Sequence, residues 1–265
     1  MALLLAPVMF AACGDNDSDF ASRPSGDSPS SDKSNSSVAL ATPCKTETED
    51  NCEYGELVDD RDGQTYKTVV IGEQTWMAEN LNYAYTGVPY KNENYKSDSI
   101  SWCYRNNTSN CTKYGRYYTW AAAMDSVGEW STNGKGCGYR TECSPTYPVR
   151  GVCPEGWHLP TKTEMETLLA IVGGNSTAGI MLKSTDGWDN SGNGTDAFGF
   201  SVLPAGNERD GLFYNEVGKR AYFWSSTRDS YGSVNYMNAF DSHDYACPGS
   251  GAFEYYGHSV RCVKD

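Results

Sequence analysis

The chain has 265 residues and a formal net charge of −13. So acidic a surface repels phosphate backbones, which argues against a nucleic-acid partner; solubility is its plainest role. Only 38% of the residues are hydrophobic, yet 7 Trp, 19 Tyr and 8 Phe supply the aromatic area for the core of one or two domains.

Residues 1–13, Met-Ala-Leu-Leu-Leu-Ala-Pro-Val-Met-Phe-Ala-Ala-Cys, are apolar throughout. A membrane-spanning helix needs about 20 such residues, so the run reads as the apolar part of a signal peptide. Ala11, Ala12 and Cys13 resemble a bacterial lipobox, in which the cysteine is acylated. The expectation is an exported protein, periplasmic or at the cell surface, held to a membrane by lipid on Cys13. Residues 14–54 are rich in Ser, Asp, Asn, Gly and Pro and poor in large apolar side chains. They bury too little to offset ordering entropy and are expected to form a disordered linker.

Export makes the 10 cysteines readable as mostly paired. Short spacing suggests Cys44 with Cys52, Cys103 with Cys111, and Cys137 with Cys143. No Cys-x-x-Cys pair occurs, so zinc is a poor alternative.

The folded region is expected over residues 55–265. Residues 57–63 run a short strand into an Asp-Gly turn. Residues 65–71, Thr-Tyr-Lys-Thr-Val-Val-Ile, alternate and are β-branched, so they predict a strand. Gly72 and Glu73 form a hairpin turn, and residues 74–77 the return strand. Residues 117–125 read as a short helix with Trp120 and Met124 on one face. Residues 128–147 are a loop held by a disulfide.

Thr161 and Glu164 have the spacing of a capping box, and Met165, Leu168, Leu169 and Val172 follow at helical spacing. Gly173 and Gly174 stop that helix. Residues 177–182 add a further helical turn. Residues 198–203, 222–226 and 259–263 are the remaining strands. Strands, two helices and strands again make an α+β domain.

Two regions carry candidate chemistry. Residues 186–196 gather Asp186, Asp189, Asn190, Asn193 and Asp196 on a Gly-rich loop, oxygen ligands that suit calcium. The EF-hand pattern fails, because its twelfth position falls on Phe200, and Asp, Asn and Gly are also ordinary turn residues.

Residues 207–220 and 228–256 are polar and aromatic, a composition that makes adaptable binding surfaces. Asn207, Arg209, Tyr214, Tyr231, Tyr236, Asp241 and His243 are the candidate ligand residues, with Tyr245, Tyr255 and Tyr256 beside them. Aromatic faces flanked by amides and carboxylates suit sugars; the plainer reading is loops packed on a sheet. Catalysis has little support. There are only 3 His, and no Gly-x-Ser-x-Gly, His-Glu-x-x-His or phosphate-binding glycine loop occurs. Trp157, Trp224, Phe198 and Phe200 read as core aromatics, and His158 as a core or cap residue.

Four segments in fixed order carry a family resemblance. They are Gly-Val-Cys-Pro-Glu-Gly-Trp-His-Leu-Pro at 151–160, Phe-Gly-Phe-Ser-Val-Leu-Pro-Ala-Gly at 198–206, Phe-Trp-Ser-Ser-Thr at 223–227 and Gly-His-Ser-Val-Arg-Cys-Val-Lys-Asp at 257–265. With residues 68–81 and 111–124, they resemble the Fibrobacter succinogenes major paralogous domain, a family of exported bacterial proteins on a C-type-lectin-like scaffold. The resemblance covers residues 55–265. It implies short antiparallel strands, two helices and long disulfide-pinned loops.

It also implies a Cys153–Cys262 bridge. Cys247 is then left over, either free or displacing a partner in this scheme. Formylglycine-generating enzymes share the scaffold and use a reactive cysteine pair, but the surroundings of Cys247 and Cys262 do not match theirs. The family implies no agreed enzymatic activity. The expectation is a non-catalytic binding domain for a surface glycan, a plant polysaccharide or an envelope protein. The alternative is a structural envelope component without a dissociable ligand, and an enzyme on the same scaffold stands third.

Overall fold

The computed structural model describes residues 39–86, 100–138, 141–208, 216–229 and 231–265. Cys13, Arg209 and Tyr214 lie outside them. β1 (Tyr54–Asp59), β2 (Gln64–Ile71) and β3 (Gln74–Met77) form an antiparallel meander turning at 60–63 and at Gly72–Glu73, as their alternation predicts. β4 (Ser101–Trp102) pairs with β5 (Tyr117–Tyr118), and α1 (Thr108–Tyr114) lies between them in sequence. α1 is absent from the sequence reading; Asn107 caps it by accepting from the Ser109 N–H at 3.0 Å.

The helix expected over 117–125 is shorter. Tyr117 and Tyr118 are strand, and one turn, α2 (Trp120–Ala123), follows under a Thr119 cap. β6 (Trp157–His158) leads to α3 (Lys162–Ile171), whose capping box is present in both halves: Thr161 Oγ1 accepts from Glu164 N–H, and Glu164 accepts from Thr161 N–H. Met165, Leu168, Leu169 and Ile171 form its buried face. After Gly173 and Gly174 the chain bends by 83° into α4 (Asn175–Leu182).

The strand expected over 198–203 is irregular backbone, because Gly199 and Ser201 take positive φ; only Val202 bridges, to Lys183. β7 (Arg220–Arg228), β8 (Val234–Phe240) and β9 (Ala246–Ala252) make a three-stranded antiparallel sheet. Much of the region read as binding loops is therefore sheet. β8 is buried along its whole length, so Val-Asn-Tyr-Met-Asn-Ala-Phe shows no polar alternation. β10 (Val263–Lys264) completes a five-stranded sheet of order β1-β2-β3-β10-β6. Residues 259–262 instead tie β3 and the chain after it to β7: Val260 and Cys262 carbonyls accept from Leu81 and Met77, and Ser259 bridges β7, its carbonyl accepting from Trp224 and its N–H donating to the Tyr222 carbonyl. The α+β class holds, with mostly antiparallel short strands.

Part of the expected linker lies on the domain. Ala41 N–H donates to Ile171 O at 2.8 Å, Cys44 N–H to Ala197 O at 2.9 Å, and Lys45 Nζ pairs with Asp196 at 2.7 Å. The backbone and a salt bridge hold residues 41–45, so their polar composition misleads. Four disulfides join Cys44–Cys52, Cys103–Cys111, Cys137–Cys143 and Cys153–Cys262. Cys247 is disulfide-bonded too, and no described cysteine is free. Neither alternative left open for Cys247 therefore holds: its thiol is oxidised, and the four other pairs stand.

His158, almost fully buried, sits between two carboxylates. Nδ1 meets Asp265 Oδ1 at 2.7 Å and Nε2 meets Glu164 Oε1 at 2.8 Å. Burial alone would disfavour the imidazolium, but the hydrogen bonds from Glu164 and Asp265 outweigh it and raise its pKa. Burial likewise opposes Glu164 ionisation, and bonds from His158 and Thr161 lower its pKa instead. The bracket ties the α3 cap to the strand ends of the first sheet.

Two stability measurements follow from this framework. Cys153–Cys262 closes a separation of 109 residues, against 6 for Cys137–Cys143. Denaturant unfolding of a Cys153→Ala/Cys262→Ala chain should show a loss of about 5 kcal/mol, against about 2 kcal/mol for the Cys137/Cys143 pair. The His158 contribution is complete below its ordinary pKa of 6.5 and is lost as pH rises through the raised folded value. The Glu164 contribution is complete above its ordinary 4.5 and is lost as pH falls through the lowered value. Unfolding free energy should thus fall as pH rises from 6.5 through the raised folded value, and in His158→Gln that fall should vanish.

Candidate functional site

α4 delivers Lys183 into the interior, where its ammonium donates to the Phe240 and His243 carbonyls, both at 3.0 Å. Burial lowers its pKa, opposed by Asp244 and Asp241 nearby. These bonds clamp the end of α4 to the turn between β8 and β9. The acidic loop that follows is seated on the same turn. Trp188 is its pin, with Nε1 donating to Ser184 Oγ and the Val202 carbonyl, each at 3.1 Å. Asn190 Nδ2 donates to Asp241 Oδ2 at 2.6 Å. Gly192 makes the approach possible, because any Cβ there would overlap the Asp241 backbone.

The five residues expected to hold calcium do not form a cage. Asp196 is buried; it pairs with Lys45 at 2.7 Å and accepts from Ser201 N–H at 2.6 Å and Ser201 Oγ at 2.7 Å. Asn193 Oδ1 accepts from Trp188 N–H at 3.0 Å, and Asn190 is spent on Asp241. Asp186 and Asp189 stand exposed apart from them. Protein donors thus take up the side-chain oxygens of Asp196 and Asn193. Among the described residues no group of three or more His, Cys, Asp or Glu is placed to hold a metal. Positive φ at Asn190, Ser191 and Asp196 marks the loop as a chain of turns.

The candidate ligand residues separate. Asn207 is fully buried, and Tyr236 is buried with its ring stacked on His258 at 5.7 Å, so both belong to the packing. Tyr231 is 90% exposed on the turn between β7 and β8. Asp241 and His243 lie at the β8–β9 turn. There the His243 ring, held by Ser242 Oγ at 2.9 Å, stands 4.5 Å from the Tyr245 ring and 5.9 Å from Phe240.

Two candidate regions 51 residues apart thus become one surface: the Asn190 amide and Asp241 carboxylate beside the rings of His243 and Tyr245. Lys183, which positions the turn, escapes sequence reasoning. Its one signal is a lysine ending an otherwise apolar helical run, Ile180-Met181-Leu182. A second aromatic group lies near Tyr231. β8 pairs Val234 with Ala252, which brings the 231 turn beside Phe253. Phe253 is 49% exposed, stacked on Tyr255 at 5.4 Å and edge-on to Tyr256 at 5.4 Å.

The family model of the Fibrobacter succinogenes major domain matches residues 69–264. No curated protein and no solved structure matches the chain significantly. The matched span runs from the end of β2 to β10 and takes in the β4–β5 pair, the three-stranded sheet, β3, β6 and β10 of the five-stranded sheet, three of the four disulfides described above and the Asn190–His243 surface. The chain belongs to the Fibrobacter succinogenes major domain family.

Proposed function

We propose that this protein is exported and presents a C-type-lectin-like domain that binds a polysaccharide or surface glycan without transforming it. The observation that carries the reading is the junction of Asn190, Asp241, His243 and Tyr245. Ring faces match the C–H faces of sugars, and an amide beside a carboxylate matches their hydroxyls. The disulfides fit an oxidising compartment, and the apolar start fits export.

A second reading rests on Phe253, Tyr255, Tyr256 and Tyr231. An exposed aromatic patch of this kind favours an envelope-protein partner or assembly into a larger envelope structure.

The oxidised chain, screened on glycan and polysaccharide arrays, should bind equally with calcium and with chelator. Tyr245→Ala and His243→Ala should each weaken binding about tenfold. Array binding that survives both substitutions refutes the junction as the site. No array binding, with saturable association of envelope proteins that Phe253→Ser removes, establishes the second reading instead.

A further inference from the structure

The start of β2 (Gln64, Thr65, Tyr66), the exit from β3 (Glu79, Asn80, Asn82) and the end of α1 (Cys111–Gly115), with Leu203, enclose a cleft of about 290 Å³. It shares no residue with the Asn190–His243 junction.

Its walls are fixed. Cys103–Cys111 ties α1 down. Asn80 Nδ2 donates to the Tyr114 carbonyl at 2.8 Å, and Arg116 N–H donates to the Leu81 carbonyl at 3.0 Å. Gly115 has φ +74°, and a Cβ there would lie 2.7 Å from Asn80 Cβ, so glycine alone lets α1 end this close. Asn82 Nδ2 donates to Gln64 Oε1 at 2.8 Å, and Asn82 N–H to the Tyr66 hydroxyl at 3.1 Å. These bonds orient both carboxamides without a ligand. Asn82 Oδ1 is buried and has no hydrogen-bond partner, against the rule that buried polar atoms are paired.

We infer that this cleft is a separate binding site for a neutral sugar unit, free or at a chain end. Its lining includes three carboxamides (Gln64, Asn80 and Asn82), the hydroxyls of Thr65 and Thr112, one carboxylate (Glu79) and one ammonium (Lys113). The two charges cancel, so neither an anion nor a cation is selected. Carboxamides and hydroxyls both donate and accept, as sugar hydroxyls do. The volume is at the lower end of small-molecule sites and admits about one or two sugar rings. Because the walls are ordered beforehand, binding costs little additional conformational entropy.

The test uses the full oxidised chain, ¹⁵N-labelled and titrated with glucose, galactose, xylose, N-acetylglucosamine and their disaccharides. Saturable shifts of the Gln64 and Asn82 side-chain amides with one of these sugars are expected. Thr112→Trp, which fills the cleft from an exposed helix position, should weaken that binding about tenfold or more, while His243→Ala leaves it unchanged. Thr65→Trp, from the strand side, serves if Thr112→Trp disturbs the spectrum. The inference is overturned if no sugar gives saturable shifts at these amides, or if the shifts persist in both filled variants. Shifts abolished by His243→Ala also overturn it, as do shifts given by glycine or glutamate and by none of the sugars. Loss of array binding in His243→Ala with cleft binding intact separates this site from the junction.

Discussion

Arg261 is the residue on which the arrangement turns. It is 1% exposed and lies among the described residues without a carboxylate at salt-bridge distance. Its guanidinium is paid in neutral acceptors: Asn80 Oδ1 at 2.8 Å, the Ser201 carbonyl at 2.6 Å and the Phe200 carbonyl. It also lies 4.5 Å from the Phe200 ring centroid and 5.4 Å from that of Phe223. Burial lowers its pKa to about 9, which leaves it charged at neutral pH. A buried charge is costly unless its donors are met, so every group that meets them is constrained. Those groups come from the exit of β3, the irregular stretch at 200–201 and β7. Asn80 passes the constraint on to Tyr114 and so to α1.

The same economy recurs with opposite sign at Asp125. This fully buried carboxylate accepts from the Tyr85 hydroxyl and from the N–H groups of Glu129 at 3.0 Å, Trp130 at 2.7 Å and Ser131 at 2.9 Å. A loop with few aliphatic residues is wound around one charge. Asp59 with Arg61 does likewise at the β1–β2 turn, where the guanidinium also lies 3.9 Å from the Tyr83 ring centroid. With short strands and few Leu or Ile, the fold is organised around buried polar centres and disulfides as much as around its buried hydrophobic clusters.

How far the sequence discloses this depends on range. The β2–β3 hairpin and the α3 capping box were legible because their determinants lie within a few residues of one another. The three short disulfides were legible for the same reason. β8 and β9 were not. Asn235 and Asn238 lie in a strand buried on both faces, and β9 reads Ala-Cys-Pro-Gly-Ser-Gly-Ala, which has almost no strand propensity. Their pairing comes from the partner strands. At the site, Asp241 and His243 stood out as ligand candidates and Asn190 as a calcium candidate, but their meeting did not, since that contact depends on Gly192 and Lys183. The acidic loop looked like a cation site because composition does not show that Asp196 and Asn193 are taken by protein donors.

The wide disulfide also orders events in time. As the chain is made from its N-terminus, Cys103 meets Cys111 and Cys137 meets Cys143 within a few residues of synthesis. Cys153 must wait for 109 further residues before Cys262 exists. In that interval it is a thiol beside completed short-range pairs, open to exchange with any of them. Maturation of this protein therefore includes protecting Cys153 until the last strand arrives, and that residue is a point where a thiol-exchange catalyst in its compartment would act.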